Sequence, residues 1–87
     1  MNKVVEVRTN DDYSLELRFN DGSFKRFDVT PYLELGIFRE LKDLNYFRRA
    51  QIAFGTVQWP NEQDFGPDTL YLDGIEIEEY KQQQTAA

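Results

Sequence analysis

The side chains that ordinarily do chemistry in a small protein are missing from this sequence. It contains no His and no Cys. That removes the usual general base, the commonest metal ligand, the thiolate nucleophile and every Cys-containing zinc site. Carboxylates and hydroxyls remain. Glu62, Asp64, Asp68 and Asp73 offer the hard oxygen ligands that Ca²⁺ and Mg²⁺ take, but not at the spacing of an EF-hand loop, whose ligands alternate and close on a Glu. Asp64-Phe65-Gly66 spells the tripeptide of the kinase magnesium site. Without a Gly-rich loop, a strand lysine and a catalytic loop, the match is coincidence. A carboxylate pair hydrolyses glycosides without His, but only inside a deep cleft. A chain of 87 residues spends nearly all its apolar side chains on one core. Ser14 and Ser23 have no His to activate them. No enzyme activity and no cofactor are expected.

Binding is the better expectation. The run from Trp59 to Tyr71 holds the only Trp, two of the three Pro and the carboxylates Glu62, Asp64 and Asp68. Read as a recognition loop, it sets Trp59 and Tyr71 as anchors around a polar floor of Asn61, Asp64 and Asp68. Read as scaffold, it makes Trp59 a core plug, with Asn61 and Asp64 tying down their own backbone. As a site, this loop would serve a protein partner or, alternatively, a small ligand or metal ion. The formal charge is −6, which repels phosphate backbones and favours a basic partner. The basic residues form three small groups, Lys25 and Arg26, Arg39 and Lys42, Arg48 and Arg49. They make no continuous basic face, so direct nucleic-acid binding is not expected.

The elements that must carry these residues are short. Tyr13, Leu15, Leu17 and Phe19 alternate with polar residues, the period of a half-buried strand. Asn20-Asp21-Gly22 follows as a turn, and a second strand runs from Ser23 to Val29. A two-residue loop would mix core and solvent faces. A three-residue loop with Gly22 in the left-handed position pairs Leu15 with Phe27, Tyr13 with Val29 and Glu16 with Arg26. Upstream, Lys3 to Thr9 reads as a strand with Val5 and Val7 inward, turning at Asn10-Asp11-Asp12. Thr30-Pro31 opens a helical turn, and Ile37, Phe38, Leu41 and Leu44 place one stripe on a short helix. Strand character returns from Tyr46 to Trp59, with Ala50, Ile52 and Phe54 on one face and Gly55 in a hairpin turn. Pro67 opens either a helical turn holding Leu70 and Tyr71 or a short edge strand over Thr69 to Leu72.

The fold class is therefore α+β, a small antiparallel sheet made of an N-terminal three-stranded meander plus a second hairpin, with one or two short helices packed on it. Residues 1–75 form one domain, and 76–87 are an acidic and polar tail expected to be flexible. No apolar run reaches the length of a membrane span, and the N-terminus lacks the pattern of a signal peptide, so a cytoplasmic location is expected.

The Asp-Gly turn in a hydrophobic meander, Phe38-x-x-Leu41, Phe47, Trp59-Pro60-Asn61, Asp64 and the closing Pro67-Asp68-x-Leu70-Tyr71 together resemble one family. It is the small bacterial proteins of the domain of unknown function 2442 family, and the likeness covers roughly residues 3 to 73. Where its members commonly have Gly after Trp-Pro-Asn, this chain has Glu62, which a positive φ would strain. The resemblance implies a small α+β domain, encoded beside a second small protein in the manner of a toxin and antitoxin pair. It assigns no catalytic or binding residues. The expected function is a non-catalytic protein-interaction module, the acidic, antitoxin-like half of such a pair, with homodimerisation through a strand edge as a further expectation.

Overall fold

The computed structural model describes residues 1–78. Strands β1 (Val4–Thr9), β2 (Ser14–Phe19) and β3 (Phe24–Asp28) form the meander. Leu15 faces Phe27 and Glu16 faces Arg26, as the three-residue loop requires. The backbone N–H of Val29 donates to Tyr13 at 2.9 Å, carrying the same register to its end. Gly22 has φ 87.

The same turn is built three times. In each, the residue before a three-residue loop donates its N–H across to the residue after it and accepts from the third loop residue. The pairs are Asn10 with Ser14 and Tyr13, Phe19 with Ser23 and Gly22, and Trp59 with Gln63 and Glu62. The third residue sits in the left-handed region every time: Tyr13 at φ 68, Gly22 at 87 and Glu62 at 72. Only Gly takes that conformation without a steric cost.

Val5 departs from the expected inward pattern. The β1–β2 register shifts between Val4 and Glu6, so Val5 is the extra residue of a β-bulge. The bulge returns Val4 and Val7 to the core side. Val4 is 2% exposed, whereas Val5 is 40% exposed.

After β3 come two 3-10 helices, Thr30–Tyr32 and Gly36–Lys42, then one turn of helix α1 (Leu44–Phe47). The stripe expected on one helix is split. Asp43 leaves helical geometry at ψ 110, and its side chain accepts from the N–H of Asn45, ending one helix and starting the next. Leu41 and Phe47 point into the core, while Ile37 is 66% exposed. Tyr46 and Phe47 are thus helical rather than the start of a strand.

The second hairpin, β4 (Gln51–Ala53) and β5 (Thr56–Gln58), adds β6 (Asp64–Phe65) to make a separate three-stranded sheet. Gly55 lies in its turn, but so does Phe54, which therefore leaves the face expected for Ala50 and Ile52. Pro67 opens helix α2 (Pro67–Asp73), settling the choice against an edge strand. Leu70 on α2 is fully buried. β7 (Ile75–Ile77) then pairs antiparallel with β3, giving a first sheet of order β1-β2-β3-β7. Glu76 and Ile77 therefore belong to the sheet, beyond the expected domain end at 75. The rest of the expected tail, from residue 79, lies outside the described residues.

One core joins both sheets and the helices: Leu15, Leu17 and Phe19 from the meander, Val57, Trp59 and Phe65 from the second sheet, and Leu41, Phe47 and Leu70 from the helices. Phe65 stacks on Phe38 at 4.7 Å and meets Phe27 and Tyr32 edge-on at 5.0 Å each. Aromatic rings give a short chain the buried area it needs.

Candidate functional site

The five residues marked between Trp59 and Tyr71 occupy separate environments. Trp59, 1% exposed, follows β5. Its indole N–H donates to the carbonyl of Phe47 at 2.8 Å, and its ring lies 5.9 Å from that of Phe47. Trp59 is a core plug.

Asn61 faces a polar knot over α1 and the second 3-10 helix. Its backbone N–H donates to the Tyr46 hydroxyl at 2.8 Å, and its carboxamide donates to both oxygens of Glu40 at 2.8 and 2.9 Å. Beneath it, Gln63 is 3% exposed. Its carboxamide oxygen accepts from the Tyr46 hydroxyl at 2.7 Å, while its nitrogen donates to the Ile37 carbonyl at 3.1 Å and to Glu40 at 2.9 Å. Every polar atom of the Gln63 carboxamide is engaged, which is what its burial demands. The loop is latched shut from within.

Asp64 is exposed on β6, opposite Gln58. Asp68, in the first turn of α2, accepts from the Asn2 carboxamide at 3.1 Å. Tyr71 works at another place altogether. Its hydroxyl donates to Asp21 at 2.7 Å, its ring meets Phe19 edge-on at 5.0 Å, and the Lys25 ammonium lies 4.1 Å from the ring centroid. Asp21 also accepts from the hydroxyl and backbone N–H of Ser23 at 2.6 and 2.9 Å. The Ser23 hydroxyl bond is the first cause, with its N–H and Tyr71 adding to it, that holds the Asp21 carboxyl down at about 2. The same contact raises the Tyr71 phenol. A carboxylate that accepts several hydrogen bonds prefers to stay charged.

No common floor links these side chains, and no group of three or more carboxylates among the described residues converges to hold a metal ion. A polar hollow of about 240 Å³ does open elsewhere, lined by Asp12, Ser14, Arg26, Asp28, Thr30 and Asp73 among others. Two of its acids are engaged locally: Asp12 accepts from the Ser14 hydroxyl at 2.6 Å and Asp28 from the Thr30 N–H at 3.0 Å. The Ser14 hydroxyl bond also lowers the Asp12 carboxyl below its ordinary range.

The feature the sequence reading missed is the tip of the β4–β5 hairpin. Ala53 pairs with Thr56, leaving a two-residue turn of Phe54 and Gly55. Both have positive φ, 55 and 76, the geometry of a type I′ turn, which favours Asn-Gly. Phe54 is 94% exposed. A bulky ring in the left-handed region is strained, and in water it gains nothing from burial in return. The Gly55 carbonyl accepts from the Val4 N–H at 2.9 Å, docking the tip against the start of β1. Further along, Glu6, Val7, Arg8 and Ile52 line an open groove of about 650 Å³ beside the β1 edge. The signal was present as Phe-Gly between two alternating runs, but alternation put Phe54 on the strand face.

A family model described as Protein of unknown function (DUF2442) matches residues 4–76. The chain belongs to that family. No curated protein and no solved structure matches it. The match runs from the start of β1 into β7, so every strand of both sheets falls at least partly within the family's region. The Trp-Pro-Asn run by which the sequence resembles this family serves here as an internal latch. Glu62 next to it takes φ 72, the strained conformation that a Gly there would accept freely. Among the described residues, no helix is long and apolar enough to cross a membrane.

Proposed function

We propose that this domain is a non-catalytic protein-binding module that docks a small basic protein through the tip of the β4–β5 hairpin. The observation that carries the reading is Phe54, 94% exposed and held at φ 55. Asn at that position would fit the turn better and leave no ring in water. A residue that costs the fold stability and gives the core nothing is a contact residue. Ile52 at 39% exposure and Val5 at 40% extend the apolar surface near it. The −6 charge supports a basic partner, as in the acidic half of a two-protein pair. A small-ligand or metal role for the Trp59 to Tyr71 loop has less support, because Trp59, Asn61 and Tyr71 are bound to the fold itself.

Co-expression with the product of the neighbouring gene tests the reading. The two proteins should elute together at low salt, and Phe54→Asn should release the partner while raising the melting temperature of the free domain. Separate elution of the unaltered pair overturns it, as does a Phe54→Asn domain that is less stable.

A further inference from the structure

We infer that the polar hollow where α2 meets β7 binds a free basic α-amino acid, with Arg26 for its carboxylate and Asp12, Asp28 and Asp73 for its two cationic groups. The hollow holds about 240 Å³, below the roughly 300–1,000 Å³ of pockets that take drug-sized ligands. Strand register builds it. Arg26 on β3 stands opposite Ile75 on β7, and Asp28 stands opposite Ser14 on β2. Arg26 and Asp28 are two residues apart, so they share one face of the sheet. Asp73 ends α2 just before β7 begins, and Asp12 and Thr30 line the same hollow.

The charges here are held apart. Among the described residues, neither Arg26 nor Asp73 makes an ion pair or a side-chain hydrogen bond. A guanidinium beside three carboxylates would ordinarily close on one of them bidentately. Local bonds hold two of the acids in place instead. Asp12 accepts from the hydroxyl and N–H of Ser14, and Asp28 accepts from the N–H of Thr30. All three bonds end on Oδ1, which leaves the second oxygen of each carboxylate for a ligand. Asp73 sits where a carboxylate is unfavourable, at the negative end of a helix with no Lys or Arg in its last turn. The fold draws no stability from that charge.

Acids alone would suggest a bare cation, but these do not converge as metal ligands do. The unpaired guanidinium calls for an anion in the same space. An α-amino acid carries both signs a few bonds apart. Its carboxylate can take Arg26 bidentately while its ammonium donates to the second oxygens of Asp12 and Asp28. With three carboxylates to one guanidinium in the lining, Asp73 is left for a cationic side chain. The aliphatic stem of that side chain lies along Ile75, which is exposed and lines the hollow. The hollow shares no residue with the β4–β5 tip, so either reading can fail alone.

Titration of the full chain with L-arginine, followed by amide NMR, tests the inference. Ser14, Asp28, Thr30, Asp73 and Ile75 should shift and saturate with a Kd on the order of 0.1–1 mM. Two analogues divide the contacts. Agmatine lacks the carboxylate and L-citrulline lacks the side-chain cation, and each should bind about tenfold more weakly or worse. Arg26→Gln should bring L-arginine down to the level of agmatine, and Asp73→Asn should bring it down to that of L-citrulline. If Arg26→Gln does not fold, the analogue series on the unaltered chain decides by itself. No saturable shift at about 10 mM L-arginine overturns the inference. So does agmatine that binds as tightly as L-arginine, the mark of an acidic cluster that takes any cation. Equal binding of L-citrulline overturns it too, as do shifts centred on Phe54.

Discussion

Trp59 and Phe47 are joined by a hydrogen bond that crosses the core, from the indole N–H to the Phe47 carbonyl at 2.8 Å. The Phe47 carbonyl, on the last residue of α1, also accepts from the Ala50 N–H, at a longer 3.3 Å. One side chain thus fills the space between α1 and the second sheet and closes the end of a one-turn helix. Four residues of helix do not hold alone.

Trp59→Phe should therefore cost more than its lost volume. It leaves a buried carbonyl without its side-chain donor and a gap beside Phe47 and Phe65, together worth about 2–4 kcal/mol. Urea unfolding should show a lower midpoint with an unchanged slope.

Tyr46→Phe tests the latch over the loop. The hydroxyl accepts from Asn61 and donates to Gln63, and its loss leaves two partners short in a site where Gln63 is almost fully buried. A destabilisation of about 1–3 kcal/mol is expected by the same denaturant titration. Amide exchange at Asn61 should rise well above that of the β2 core, because the loop loses its tie to α1.

The parts of this fold that were legible in the sequence are those governed by alternation and by glycine. Leu15 against Phe27 follows from the period of two and from Gly22, because only one loop length keeps both core faces aligned. Val5 was illegible for the matching reason: a bulge inserts one residue without any residue type that announces it. Leu41 and Phe47 fell on two helices because Asp43, an ordinary surface acid by composition, caps the second. The candidate loop was found by its density of special residues. Its inward orientation depends on Tyr46 and Glu40, fifteen or more positions away, which spacing cannot report. Phe54 was misread because a hydrophobic residue in register is assigned to a face before its φ is known.

Glu62 carries a strain that a single substitution should relieve. At φ 72 a side chain crowds its own backbone, by about 1–2 kcal/mol relative to Gly. Part of that is offset by the extra entropy Gly loses on folding, about 0.5–1 kcal/mol. Glu62→Gly should thus raise stability by about 0.5–1 kcal/mol in thermal or urea unfolding, whereas Glu62→Ala, which keeps a Cβ, should gain nothing. A destabilised Glu62→Gly would mean that the Glu62 side chain holds the loop through a contact outweighing its backbone strain.

Asp21 and Tyr71 make the pH dependence of the domain predictable in sign. The folded-state Asp21 carboxyl sits at about 2, against an ordinary 3.8. Its contribution is therefore complete above about pH 4 and drains away as the pH falls from there toward 2. The Tyr71 phenol is raised above 10.0, so its contribution is complete below that value and is lost as the pH climbs through the raised one. The two arms share one hydrogen bond, from α2 to the β2–β3 turn, but the acid arm owes more to the bonds Asp21 accepts from Ser23. Asp21→Asn keeps an acceptor for Ser23 but no charge. Melting temperatures between pH 2 and 5 should fall less steeply with acid in Asp21→Asn than in the unaltered chain. Tyr71→Phe should flatten the alkaline arm and leave a shallower acid arm, because Asp21 would still hold its bonds from Ser23. An acid arm as steep in Asp21→Asn as in the unaltered chain would place the acid sensitivity elsewhere, first at Asp12, whose carboxyl Ser14 also holds down.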